Sequence, residues 1–253
     1  MSFAPFRIES AALSHVGRVR DTNQDSFCIR ESDGLWAVAD GMGGHEGGEW
    51  ASGKLVEKIG EIEVPDELEA ASAAVEAAIR AGNAAILAEA AGRGRQMGTT
   101  LVALIVKGTR YRILWVGDSR AYRLRDGAFE QLSRDHTQVQ EMVDRGLMAA
   151  DQLVGHPMSH ILSRAVGARE TFEIDHVDGE VAPGDVFLLC SDGLHGYVEK
   201  DVIRRVIGRG SPERALEELI ALTLEAGAPD NVTGIAVWAS DPTLLSFTQP
   251  GQS

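Results

Sequence analysis

Asp-Gly occurs five times in this chain, at 33–34, 40–41, 126–127, 178–179 and 192–193. The dipeptide is first of all a turn signal, because Asp tolerates tight backbone and Gly supplies positive φ. Asp33, Asp126 and Asp178 read that way, with polar neighbours and a strand to follow. Asp40 and Asp192 differ. Each closes a long apolar run, Leu35-Trp36-Ala37-Val38-Ala39 and Val186-Phe187-Leu188-Leu189-Cys190-Ser191. Asp118 closes Ile113-Leu114-Trp115-Val116-Gly117, and Asp230 stands in the mirrored position before Val232–Ala239. Four carboxylates at the ends of buried strands can converge on one rim of a sheet pair. Unpaired, they repel one another and are costly to desolvate. A hard divalent cation relieves both costs, and all-oxygen ligation favours Mg²⁺ or Mn²⁺ over zinc. Spacing alone leaves this reading level with four unrelated turn aspartates.

The elements that must position these residues are legible as short apolar runs. Strands are expected near 7–13, 26–31, 35–39, 100–106, 111–116, 121–125, 172–178, 185–190 and 232–239. Gly108-Thr109 and Asp126-Gly127 sit between neighbouring runs as hairpin turns, so those strands pair antiparallel. Helices are expected over 46–62, with Ala51, Leu55 and Ile59 on one face, and over 66–92, with Leu68, Val75, Ile79 and Ile86 inward and Asp66 as N-cap. Ser211-Pro212 opens a third helix facing Leu216, Leu219, Ile220 and Thr223 inward. Residues 137–165 carry short helical patterns broken by Gly146, Gly155 and Pro157, which reads as a small inserted flap. Hairpins interrupted by a helix pair imply sheet layers covered by helices.

Composition narrows the function. The 253 residues suit one domain with a sizeable core, over about 1–240, followed by a loosely ordered tail at 241–253. The net charge of −14 disfavours nucleic acid and anionic membrane as partners. Cys28 and Cys190 lie in apolar runs without CxxC spacing and read as buried inert thiols, which suits a reducing cytoplasm. Neither a signal peptide nor a membrane span is expected.

Eight stretches then make a pattern: Val19-Arg20-Asp21-Thr22-Asn23-Gln24-Asp25, Ala39-Asp40-Gly41-Met42-Gly43-Gly44-His45, Gly98-Thr99-Thr100, Val116-Gly117-Asp118-Ser119-Arg120-Ala121-Tyr122, Asp135-His136-Thr137, Ser163-Arg164-Ala165-Val166-Gly167, Ser191-Asp192-Gly193-Leu194 and Asp230-Asn231-Val232-Thr233. In this order the chain resembles the metal-dependent serine/threonine protein phosphatase family (PPM, type 2C) in its bacterial form. The resemblance implies an α+β fold: a four-layer αββα sandwich of two central antiparallel sheets flanked by helix pairs, with a small flap. It implies that Asp40 bridges two metals, that the Gly41 carbonyl ligates the first, and that Asp192 and Asp230 complete the second. Asp118 resembles a ligand to a weaker third ion, and Arg20 a phosphate-binding arginine. Mn²⁺ or Mg²⁺ is the implied cofactor, and a metal-bridging hydroxide the implied nucleophile on phosphoserine or phosphothreonine. The implied partners are phosphorylated protein substrates and an opposing Ser/Thr kinase, and the chain is expected to act as a cytoplasmic monomer.

There are departures. Gln24 stands where many members have Glu, with Asp25 supplying the adjacent charge. Met42 stands where the eukaryotic motif has His, so that general acid is absent at that position; His45 could replace it or be merely solvated. His136 reads as structural. His156 and His160 have helical metal-pair spacing, but Pro157 intervenes and no third ligand is near. Two other readings stand beside catalysis: a noncatalytic phosphoprotein-binding regulatory module on the same fold, disfavoured by the intact aspartate set, and a nucleotide phosphodiesterase, disfavoured by the acidic charge and the lack of an aromatic–basic patch.

Overall fold

The computed structural model describes residues 6–153 and 156–241 and, at position 45, the backbone alone. Of the expected tail only Asp241 lies within the described residues, and Gly155 lies outside them. The strands are β1 (Arg7–His15), β2 (Asp25–Arg30), β3 (Leu35–Met42), β4 (Gly98–Thr99), β5 (Leu101–Lys107), β6 (Arg110–Val116), β7 (Arg120–Arg125), β8 (Ala128–Gln131), β9 (Asp175–Glu180), β10 (Val186–Cys190) and β11 (Val232–Ser240). The α-helices are α1 (His45–Gly60), α2 (Leu68–Arg93), α3 (Gln138–Asp144), α4 (Asp192–His195), α5 (Lys200–Ile207) and α6 (Pro212–Glu225).

These strands form two sheets. One runs β1-β11-β10-β7-β8; the other runs β2-β3-β5-β6-β9 with β4 paired to β3. Every pairing between strands is antiparallel. Both hairpin turns fall where expected, and Asp126 (φ 49°) and Gly127 (φ 80°) take the left-handed pair that a two-residue turn needs.

The near-continuous apolar runs follow from the layering, because the central strands are buried on both faces. On β3, Leu35, Ala37 and Ala39 face α1 and α2, where Ala51, Leu55, Ile59, Val75, Ile79 and Ile86 meet them. The alternate residues Trp36 and Val38 face the other sheet, packing with Val102, Leu104, Phe187, Leu189, Ile235 and Val237. That sheet's outer face, with Leu188, Cys190, Val232 and Ala236, is covered by Leu194 of α4, Ile203 and Ile207 of α5, and Leu216, Leu219 and Ile220 of α6. Four layers result, helix–sheet–sheet–helix.

Several expectations are corrected. The cap of α2 is Glu67, not Asp66, and no side chain caps it. Asp178-Gly179 is no turn but the middle of β9, where Asp178 pairs with Arg112 and a Cβ on Gly179 would meet the Tyr111 ring at 2.5 Å. Cys190 is buried, which pushes its thiol up to about 12, but Cys28 is only half-buried. Helices α4 and α5 were not anticipated; both are short, and α4 begins on the site residue Asp192. The cap of α6 is as expected, with Pro212 in its first turn and Ser211 Oγ accepting from Arg214 N.

Candidate metal centre

Asp40 lies near the end of β3, directly across from Asp25 on β2. Its backbone is held from three sides. Its N–H donates to Thr100 Oγ1 (3.0 Å), and its carbonyl accepts from Thr100 N (2.8 Å) and Thr99 Oγ1 (3.0 Å). The Gly98-Thr99-Thr100 stretch is therefore a clamp on Asp40. The next residue has to be glycine: a Cβ on Gly41 would stand 2.0 Å from Gly48 O. Gly41 N donates to Gln24 O (3.0 Å), and Ser52 Oγ of α1 donates to the same carbonyl (2.6 Å).

Asp118 follows β6 on a loop that the Asp135-His136-Thr137 stretch pins. His136 N donates to Gly117 O (2.9 Å), and Gly117 N donates to His136 Nδ1 (3.0 Å), so His136 is structural as expected. Ser119 Oγ meets Thr100 Oγ1 at 2.7 Å, which joins this loop to the Asp40 clamp. His195 Nε2 lies 3.1 Å from Asp118 O, and burial pushes that imidazole down to about 4. It is neutral at ordinary pH and can donate to the carbonyl.

Asp192 opens α4 directly after β10. Gly193 beside it is obligatory, since a Cβ there would meet Asn231 O at 1.8 Å. Asn231 stitches this rim to the 16–24 loop: its Nδ2 donates to Val16 O (2.9 Å) and Thr22 O (3.0 Å), and its Oδ1 accepts from Gln24 N (2.8 Å). That loop carries Arg20, whose Nε and Nη2 fork onto Asp230 at 3.0 and 2.7 Å.

Asp40, Gly41, Asp118, Asp192, Asp230 and Arg20 all line one cleft of about 810 Å³ between the sheet ends and the flap. The structure thus brings every expected site residue together. It also adds Asp25, buried behind Asp40, with Ser191 Oγ donating to its Oδ2 (2.8 Å) and its Oδ1 buried without a hydrogen-bond partner. The Asn-Gln-Asp stretch contained that signal, but only the β2–β3 register shows Asp25 backing Asp40. Met42 lines the cleft wall, and the side chain of His45 lies outside the described residues. His156 is engaged with its own turn, its Nδ1 accepting from Met158 N (3.2 Å).

The electrostatics are strained. Burial is the foremost cause raising the Asp40 carboxyl, followed by the charges of Asp25 and Asp192. Asp118 is raised by burial and then by Asp192. Asp192 is raised by burial and then by Asp230, partly offset by a hydrogen bond with Asp40. Burial pushes Asp25 up to about 7. Among the described residues no three acidic, imidazole or thiol side chains stand as a closed ligating cluster. Arg20 lends its charge to Asp230. Buried acids raised by one another, an orphaned carboxylate oxygen and an all-oxygen donor set fit a hard divalent cation.

The sign of the pH dependence follows. In the unfolded chain such acids titrate near ~4. Folded, Asp25 holds its proton to about 7, so the native state binds more protons across that interval. Metal-free stability should therefore fall as pH rises from about 4 through about 7. The difference in Tm between the metal-free protein and its Asp25→Asn variant should widen over that range, in the variant's favour, and Mn²⁺ should reverse it. A difference independent of pH would contradict the strained cluster.

Residues 14–225 match the family described as Protein phosphatase 2C. The chain is 38% identical over 225 residues to the serine/threonine protein phosphatase PstP of Mycobacterium tuberculosis, covering 88% of this chain but 43% of that protein. It therefore spans under half the length of that relative. PppA of Pseudomonas aeruginosa, a regulatory component of its T6SS, superimposes with a TM-score of 0.85 at 39% identity, covering 92% of this chain and 97% of that one. The catalytic domain of PstP in complex with two manganese ions superimposes with a TM-score of 0.81 at 36% identity, covering 92% and 99%.

Proposed function

The chain belongs to the protein phosphatase 2C family, and from that premise we propose that it hydrolyses phosphoserine and phosphothreonine on proteins with two core divalent cations, opposing a Ser/Thr kinase. The observation carrying this reading is the convergence of Asp40, Asp118, Asp192, Asp230 and Arg20 on one cleft. Asp40 and the Gly41 carbonyl would hold the first ion, Asp40 with Asp192 and Asp230 the second, and Asp118 with Asp192 a weaker third. Bound, Mn²⁺ or Mg²⁺ would supply a water acidic enough to attack phosphorus at neutral pH.

The chain's own residues do the rest. The threonine clamp fixes the Asp40 backbone, so little reorganisation is needed when its carboxylate takes up charge. Arg20 is forked onto Asp230; were that carboxylate to hold a cation instead, the guanidinium would be free to fork onto two phosphate oxygens. Among the described lining residues the cleft holds no cysteine, so a phosphocysteine intermediate has no nucleophile there.

The flap would gate access for protein substrates. Thr137 bridges to Leu162, and Ile161 and Leu162 line the cleft, so this segment borders whatever enters. Cytoplasmic residence and a monomeric state belong to the same proposal. Among the described residues, no helix is long and apolar enough to cross a membrane.

A substrate panel tests the function. With Mn²⁺, the protein should turn over a phosphoseryl peptide and leave a nucleotide diester intact. Diester hydrolysis alone would move it to the phosphodiesterase reading; tight phosphopeptide binding without turnover would make it a regulatory module.

A further inference from the structure

We infer that His160 is the proton donor to the leaving seryl or threonyl oxygen, an inference that rests on the proposed phosphatase reading. Breaking a bond to an alkoxide needs a proton, since the free alkoxide is a very poor leaving group. Among the described residues, the cleft holding Asp40 is lined by Arg20, by five aspartates, by His160 and otherwise by residues without an ionisable side chain. Arginine stays protonated, and carboxylates that hold cations are committed as anions. Among the described lining residues that leaves Asp21, an exposed carboxylate, and His160, and of the two it is the imidazole whose chemistry serves as general acid.

The other described histidines are placed elsewhere. His15 accepts from Gly17 N, His136 from Gly117 N and His156 from Met158 N, while His195 is buried against Asp118 O. His176 sits on β9, opposite Leu114, outside the lining of this cleft. His160 is also held where it stands. The residues after it are pinned to the Asp135-His136-Thr137 segment, with Gln138 N donating to Ile161 O (2.9 Å) and Ser163 N to His136 O (2.9 Å). Its exposed side chain borders both the main cleft and an adjoining one of about 470 Å³, and Asp118 and Asp192 line both. It therefore stands on the flap segment, in the wall that borders the same two clefts as Asp118 and Asp192, within the space a phosphopeptide would occupy.

The step balances simply. The oxygen–phosphorus ester bond breaks as the new bond from water forms. The ester oxygen keeps the electron pair and takes the proton from the His160 imidazolium, and the imidazole regains a proton from solvent.

The test varies the leaving group. p-Nitrophenyl phosphate and phenyl phosphate are similar in size, but nitrophenolate leaves without a proton and phenolate leaves far less readily. In H160Q, kcat should change little for p-nitrophenyl phosphate, fall for phenyl phosphate, and fall about a hundredfold or more for a phosphoseryl peptide. Calorimetric Mn²⁺ titration of H160Q should match the wild type. Equal losses on the two aryl phosphates, or no loss on any substrate, would overturn the inference. So would loss of a bound ion, which would make His160 a metal ligand. Failure of the wild type on all three substrates would instead refute the phosphatase reading itself.

Discussion

Asp40→Asn should abolish phosphopeptide turnover, by more than about a thousandfold, a loss no smaller than that of a single well-placed charge-stabilising group. The same substitution should stabilise the metal-free protein. Asp40 is buried, and the charges of Asp25, Asp192 and Asp118 raise its carboxyl further, so the neutral amide relieves repulsion. Each kcal/mol relieved should raise Tm by about 2–4 °C at this chain length. Mn²⁺ should then add little, because the site has lost the charge both core ions need. Asp118→Asn is the matched control, since Asp118 also follows an apolar strand and is also raised by burial. It should retain two ions and their stabilisation while turnover falls about 10- to 100-fold, the scale of a supporting ligand. Loss of both core ions in Asp118→Asn would overturn the division of roles between the two aspartates. Full turnover would deny a third ion any part.

Arg20→Ala should cost about 2–4 kcal/mol in kcat/KM, or about 30- to 1,000-fold, the scale of removing one partner of a charged hydrogen-bonded pair. If Arg20 grips phosphate in ground and transition states alike, the loss appears in KM; if only in the transition state, in kcat. The structure adds a second expectation. Arg20 is forked onto Asp230, so it competes with any cation for that carboxylate. Mn²⁺ affinity in Arg20→Ala should accordingly be unchanged or tighter. Arg20→Lys should recover only part of the turnover, because an ammonium cannot present the planar fork. Weakened Mn²⁺ binding together with wild-type kinetics would confine Arg20 to holding Asp230.

The layers were legible because alternate residues of the central strands are buried on opposite sides. Leu35-Trp36-Ala37-Val38-Ala39 is apolar throughout for that reason. Asp40, Asp118, Asp192 and Asp230 stood out as charges at the ends of such runs. Asp25 did not, because its neighbours on the edge strand β2 alternate between half-buried and exposed. The cap of α2 was misplaced because Asp66 lies one residue too early to serve. The Arg20–Asp230 fork joins residues 210 apart in sequence and follows from tertiary placement alone. The only local signal at His160 was its four-residue spacing from His156, which pointed to a metal pair; its place at the cleft is made by the pairing of 161–163 with the 136–138 segment.

The central claim, that this carboxylate cluster is a working metal centre, is tested most directly by one assay. The protein is dialysed against chelator and presented with a phosphoseryl peptide, first in excess EDTA and then with Mn²⁺ restored. Activity should be absent in the first condition and return in the second, with a rise in Tm as cation binds the folded state. Full turnover in excess EDTA would contradict it.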